Sequence, residues 1–302
     1  MGKASRRRRT AGNNVHDSRT RDLSAAPAPF VARPFEGLTG ETDWVAIREV
    51  VPAATATVTF AEGAAAADGP RTATVATVLP MSWSGLRRAD GDVMVALQSG
   101  STTGDASRDV AQVLLATAAS EVGTPLPSVP LATAATPRLQ DVLDQAAPFE
   151  VSVHEGFDFW VPDTSDLDEA GQESLERANA AAIPTTKLES APAAYWCQVG
   201  ARSYLRWVLP HQEDAATDAL ARLHAASATS LGEGTRLLGA FRACGLLVPV
   251  WDLDPGLAGA DYEEAVARMA VRLGEALARS GALSSEERRA RSGLLSRQVT
   301  LR

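Results

Sequence analysis

An α+β fold of two related, packed halves, preceded by a disordered basic arm, is the class this sequence predicts. Three observations lead there. Short Thr- and Val-rich runs with strand-like alternation sit among segments whose apolar residues recur at helical spacing. The order helix, proline, strand, strand, Val-Leu-Pro occurs twice. The first copy has Pro52 and Val78-Leu79-Pro80, the second Pro184 and Val208-Leu209-Pro210, with proline-to-proline spacings of 28 and 26. The first 21 residues carry seven basic residues against one acid, Asp17, and show no hydrophobic period.

In chain order, residues 1–32 mix arginine, Asn13, Asn14 and the Ala-Pro stretch 25–29, which reads as a flexible arm. Trp44, Ile47 and Val51 are helically spaced behind Asp43, an expected N-cap, and Pro52 ends that helix. Thr55–Phe60 and Arg71–Leu79 read as strands paired in a hairpin, and Asp92–Leu97 as a third strand. Ser107–Ser120 places Val110, Val113 and Leu114 on one helical face, and Arg138–Ala146 reads as a short helix. Phe149–His154 and Phe157–Val161 read as strands around a turn at Glu155-Gly156.

The second half begins with an acidic loop and a helix over 172–182, stopped by Pro184. Lys187–Val199 and Tyr204–Leu209 read as strands, and Glu213–Ser227 as an amphipathic helix. A short helix is expected at Arg236–Cys244, a buried strand at Leu246–Trp251 and a long helix at Tyr262–Ser280. Ser284 and Glu287 form a capping-box pattern that opens a last, Arg-rich helix. The expected organisation is an arm (1–32), a first half (33–162), a second half (163–283) and an Arg-rich C-terminal tail (284–302). A degenerate tandem duplication explains the repeated order; chance recurrence in a chain of short α+β elements is the competing reading.

Composition narrows the function. The chain has 302 residues, 45% hydrophobic and 22% charged, which suffices for a packed core and argues against a wholly disordered chain. No run approaches the roughly 18 apolar residues of a membrane span. Cys197 and Cys244 alone cannot make a disulfide framework or an all-cysteine metal site, and they suit a reducing cytoplasm. The net charge of -8 is unevenly spread: +6 over residues 1–21, +3 over 286–302, and therefore -17 over 22–285. An acidic body repels phosphate backbones, so a nucleic-acid groove is not expected there. The block Arg6, Arg7, Arg8 and Arg9 could touch RNA, DNA or an acidic partner, or serve only to solubilise the chain.

No segment carries a specific catalytic motif. His16, His154, His211 and His224 have no partner at metal-ligand spacing, so no metal and no cofactor is expected. His211 follows Pro210 at a strand exit, a position where sites often lie. Gly232-Glu233-Gly234-Thr235-Arg236 is the most site-like segment: two glycines could bring backbone N–H groups to an anion, with Thr235 as helix N-cap and Arg236 adding charge. It lacks the P-loop lysine and Glu233 opposes an anion, so a helix C-cap glycine followed by a helix N-cap is the preferred reading. Cys197 and Cys244 read as structural. Tryptophans at strand spacing read as core.

The runs Arg33-Pro-Phe-Glu-Gly-Leu, Glu41-Thr-Asp-Trp-Val-Ala-Ile-Arg-Glu, Ala76-Thr-Val-Leu-Pro-Met, Ala194-Tyr-Trp-Cys and Ser230-Leu-Gly-Glu-Gly-Thr-Arg-Leu resemble an uncharacterised actinobacterial family of unknown function. Some similar proteins carry loose names such as topoisomerase II or preprotein translocase SecA-like. The resemblance covers about residues 30–280 and brings no established activity. It implies an actinobacterial cytoplasmic protein. With no catalytic constellation in sight, the expectation is a non-catalytic interaction or accessory protein with a protein partner. The alternative is a small-ligand binder or enzyme with a site between the halves, near His211, Gly232, Gly234, Thr235 and Arg236.

Overall fold

A computed structural model describes residues 26–66, 68–98, 102–164 and 167–296. Among them are seven α-helices and two β-sheets, so the chain is α+β. In chain order the elements are α1 (Glu41–Glu49), β1 (Ala54–Thr59), β2 (Thr72–Ala76), β3 (Gly85–Arg87), β4 (Val93–Ala96), α2 (Ala106–Ala119), β5 (Pro125–Leu126), α3 (Leu139–Val142), β6 (Val151–Val153), α4 (Glu169–Ala180), β7 (Thr185–Lys187), β8 (Ala194–Val199), β9 (Arg202–Trp207), α5 (Glu213–Ala225), β10 (Arg236–Ala243), β11 (Leu246–Leu253), α6 (Glu263–Ala278) and α7 (Ser285–Ser296).

The first sheet runs β5-β3-β4-β2-β1-β6. The expected hairpin is present, with Thr55 opposite Ala76 and Thr59 opposite Thr72. Alternation along β1 sends Ala54, Ala56 and Val58 inward, while Thr55, Thr57 and Thr59 face outward. The second sheet is an antiparallel series, β10-β11-β9-β8-β7. One of its faces carries Leu205, Trp207 and Trp251, packed with Leu220 of α5 and Val266 and Met269 of α6. The opposite face contributes Tyr195, Val208 and Val248 to the cluster that holds Trp44 and Ile47 of α1 and Val58 and Val75 of the first sheet. One cluster therefore joins the two sheets around α1, and a second lies between the second sheet, α5 and α6.

The halves begin alike, each with a helix leading into antiparallel strands, but they then diverge. In the first, β3 and β4 precede the next helix and β4 lies parallel to β2. In the second, β10 and β11 follow α5 and β11 is antiparallel to β9. These topologies do not establish a tandem duplication.

Several local expectations need correction. Residues 26–32 are not loose: Pro27 bridges Thr133, and the Val31 N–H donates to the Gly104 carbonyl at 2.8 Å. Proline restricts the backbone in advance, so an Ala-Pro stretch docks at little entropic cost. Gly40, not Asp43, precedes α1 as its cap residue. Phe157–Val161 is not a strand. Asp158–Trp160 forms a 3-10 turn that stacks Phe157 on Trp160 at 4.9 Å, the i,i+3 proximity of that helix type. Arg236–Cys244 is not a helix. Cys244 (φ 46°) and Gly245 (φ 81°) make a two-residue turn with both φ angles positive, which folds β10 back on β11. The Ser284–Glu287 capping box is present in both directions, at 2.7 Å and 3.2 Å. The Arg-rich segment over 285–296 is a helix packed along α5, with Arg291 bonded to Asp218 at 2.7 Å and Asp214 at 2.6 Å. No described helix is long and apolar enough to cross a membrane.

Candidate interaction surface

The residues singled out from sequence do not converge. Leu209, two residues before His211, bridges Leu247 at one end of β11. Arg236 pairs with Asp252 at the other end. These partners are five steps apart along the strand, about 17 Å at roughly 3.4 Å per residue. His211 and Arg236 therefore do not line one cavity.

The loop 230–235 is fixed by hydroxyls. Thr235 Oγ1 accepts from the Leu231 N–H at 2.9 Å and donates to the Gly232 carbonyl at 2.8 Å, while Ser230 Oγ receives the Gly232 N–H at 3.1 Å. Gly232 (φ 140°) and Gly234 (φ 71°) supply backbone angles that other residues rarely adopt. Thr235 is thus a loop staple, not a helix cap. A strand follows it, so the helix N-terminus an anion cradle would use is missing. Arg236 is solvent-exposed and lies 3.7 Å from Asp252, which already holds Arg202 at 2.6 Å.

Gly232 and Gly234 do border an open cleft of about 500 Å³, closed on its far side by the start of α6. Glu233, Asp254, Asp261 and Glu264 line it with Arg268, which pairs with Glu264. Local bonds set these carboxylates: Asp254 accepts from the Gly256 N–H at 2.9 Å, and Asp261 from the Ala258 N–H at 2.8 Å. Leu257, 41% exposed, adds apolar surface. Such a lining opposes an anion and suits a cationic, partly apolar group.

A second feature was not visible in the sequence reading. Phe30 is 80% exposed and Leu131 60% exposed. Pro29 and Pro130 beside them are exposed too. The Pro27–Thr133 bridge runs their two segments antiparallel, and the Ala134 N–H donates to the Ala26 carbonyl at 3.0 Å. Gly104 lets Phe30 sit close, since a Cβ there would lie 2.8 Å from Phe30 Cα. Beneath lies an ionic base. The carboxylate of Asp105, fully buried, is 3.3 Å from Arg108 Nε and 3.1 Å from Arg138 Nε, close enough to pair though not aligned as hydrogen bonds. Arg108 in turn donates to the Thr136 carbonyl. The result is two exposed apolar side chains, Phe30 and Leu131, on neighbouring antiparallel segments tied to the body. The signal available in sequence was the Pro-Phe and Pro-Leu dipeptides, which composition alone does not distinguish from a loop.

The reactive residue types sit in quiet places. Burial raises the Cys197 thiol, and burial together with the Glu49 carboxylate pushes the Cys244 thiol up to about 12. Burial lowers the His154 imidazole, whose Nε2 is 2.8 Å from Thr55 Oγ1. Among the described residues no group of three or more His, Cys, Asp or Glu could hold a metal ion. Arg6, Arg7, Arg8 and Arg9 lie outside the described residues.

Two sheets packed around α1 define an α+β protein whose described surface exposes Phe30 and Leu131 and offers an acidic cleft. Residues 34–302 match a family of unknown function, DUF5926, and the chain belongs to that family. No curated protein and no solved structure matches it.

Proposed function

We propose that this protein is a non-catalytic, cytoplasmic interaction protein. The observation that supports this reading is the exposure of two large apolar side chains, Phe30 and Leu131, on two segments joined by the Pro27–Thr133 bridge. Exposed apolar clusters on anchored backbone are the usual cores of protein contacts, because they bury apolar area without a large ordering cost. The basic block Arg6–Arg9 lies about twenty residues upstream and would add electrostatic reach toward an acidic partner or RNA. The test is capture from the host lysate with the full chain and with Phe30→Ser/Leu131→Ser, followed by rebinding of the purified captured protein. Retention by the native chain and loss by the variant is expected. A variant that captures and rebinds the same protein equally well defeats the reading.

A further inference from the structure

We infer that the open edge of the second sheet, along β10, is a strand-binding site whose occupant is the segment 297–302 of the same chain, which follows α7 and lies outside the described residues. The order β10-β11-β9-β8-β7 gives β10 a strand partner on one side alone among the described residues. The backbone groups that face the open side can be identified. The Leu247 carbonyl accepts from the Leu209 N–H at 3.0 Å, on the side of β11 away from β10. In an antiparallel ladder the N–H and C=O of one residue point the same way, and the direction alternates along the strand. Pro249, two residues on, therefore also turns away from β10, a place where its missing N–H costs β10 no bond. Arg242 lies opposite Leu247 and Ala240 opposite Pro249, so both direct their N–H and C=O away from β11, to the open edge. Such a row of unpaired groups is a template for a further strand.

The course of α7 selects the occupant. α7 runs antiparallel along α5: Arg222, in the last turn of α5, donates to the Gly281 carbonyl ahead of α7, and Arg291, further along α7, holds Asp218 and then Asp214. The preceding residue of α5, Glu213, takes Arg242 of β10 at 2.6 Å. Leu294 is buried in the cluster against which Ala240 of β10 packs, so α7 ends beside the Arg242 end of β10. A chain that continues from Ser296 meets β10 at that end and runs antiparallel to it. Six residues at roughly 3.3 Å each reach about 20 Å, the length of β10 from Arg242 back to Arg236. The segment Arg297-Gln-Val-Thr-Leu-Arg has strand character: Val299 and Thr300 are β-branched, and Val299 and Leu301, two apart, share one face. Leu238 and Phe241 of β10 are only partly buried and supply apolar surface for that face to cover.

Amide hydrogen exchange followed by NMR tests this in the full chain and in a chain ending at Ser296. The amides of Ala240 and Arg242 are expected to exchange at least tenfold faster in the shortened chain, while that of Phe241, which points to β11, keeps its rate. Cross-strand nuclear Overhauser contacts from residues 298–301 to residues 240–242 are expected in the full chain, a readout that needs no variant. Absence of those contacts overturns the inference, as do equal rates for Ala240 and Arg242 in the two chains. Protection of these amides that rises with protein concentration and persists without 297–302 gives the edge to a second copy, and overturns it too. Should shortening speed Phe241 as much as its neighbours, the whole sheet has loosened, and the contacts in the full chain decide alone.

Discussion

The hydroxyl of Tyr195 donates to Asp43 Oδ1 at 3.0 Å, joining the second sheet to the first turn of α1 in the other half of the chain. Lys187 Nζ reaches the same oxygen at 2.9 Å. Burial, with the nearby carboxylate, raises the Tyr195 phenol far above its ordinary range, so it stays a donor. At the other end of α1, Arg206 Nη1 donates to the Val50 carbonyl at 3.1 Å, where cations favour a helix terminus. Tyr195→Phe keeps the ring packing and removes only the bond. It should destabilise the whole chain by about 1–2 kcal/mol. Urea unfolding followed by tryptophan fluorescence should show one transition shifted to lower urea with its slope unchanged. A loss confined to one of two separate transitions would contradict a cluster that joins the two sheets.

Arg222 is the buried cation that closes the end of α6. Its guanidinium donates to the Ala276 carbonyl at 3.2 Å and the Gly281 carbonyl at 3.1 Å. The Ala276 carbonyl lies in the last turn of α6, where internal donors run out, and the Gly281 carbonyl in the loop just after it. Arg222→Met retains much of the stem packing but leaves the acceptors without that partner. A loss of about 2–4 kcal/mol is expected, read as a lower melting temperature. A melting temperature equal to that of the native chain would show that solvent satisfies these carbonyls equally well.

Acid should loosen α7 before it unfolds the body. The Ser284 N–H holds the Glu287 carboxylate below its ordinary range, helped by Arg279 and Arg222. A folded-state value below the unfolded one means the stabilisation is full at neutral pH. It is lost as pH falls through the depressed folded value. Hydrogen exchange of 285–296 should therefore accelerate below about pH 4 in the native chain, the ordinary carboxylate range. In Glu287→Ala, which has no acceptor for the Ser284 N–H, it should be fast already at pH 7. Equal protection in both proteins at neutral pH would count against this role for the capping box.

The cysteines should be nearly inert toward a thiol reagent. A Cys244 thiol near 12 holds about a thousandfold less thiolate at pH 8 than an ordinary thiol at roughly 8.5. Cys197 is buried as well. Titration with an aromatic disulfide reagent should give slow reaction at pH 8 that speeds as pH rises, and rapid reaction of both thiols in denaturant. A fast stoichiometric burst from the native chain at pH 8 would mean that one thiol is activated.

Much of the secondary structure was legible because it depends on neighbours in sequence. The alternation of Thr55–Thr59, the face made by Val110, Val113 and Leu114, and the Ser284–Glu287 pair all act over a few residues. The errors lie where a distant partner decides. Leu237, Leu238 and Phe241 match a helical face as well as a strand, and pairing with β11 selects the strand. Phe157–Val161 has strand-forming residues, yet Asn179 Oδ1 takes the Phe157 N–H at 2.6 Å and the rings stack into a 3-10 turn. His211 and Arg236 looked like neighbours of one site because chain order says nothing about which end of a sheet each occupies.

By itself, then, the sequence determined the α+β class, the positions of most helices and strands, the separation of a cationic leader from an anionic body, and family membership through its shared phrases. Only the tertiary structure decided that both sheets pack around α1, that Phe30 and Leu131 stay exposed beside the Pro27–Thr133 bridge, and that carboxylates border Gly232 and Gly234. The physical reason is range. Backbone preference and apolar period are written within a turn or a strand. Exposure and the sign of a cleft's charge depend on which segments, a hundred residues apart, come to lie side by side.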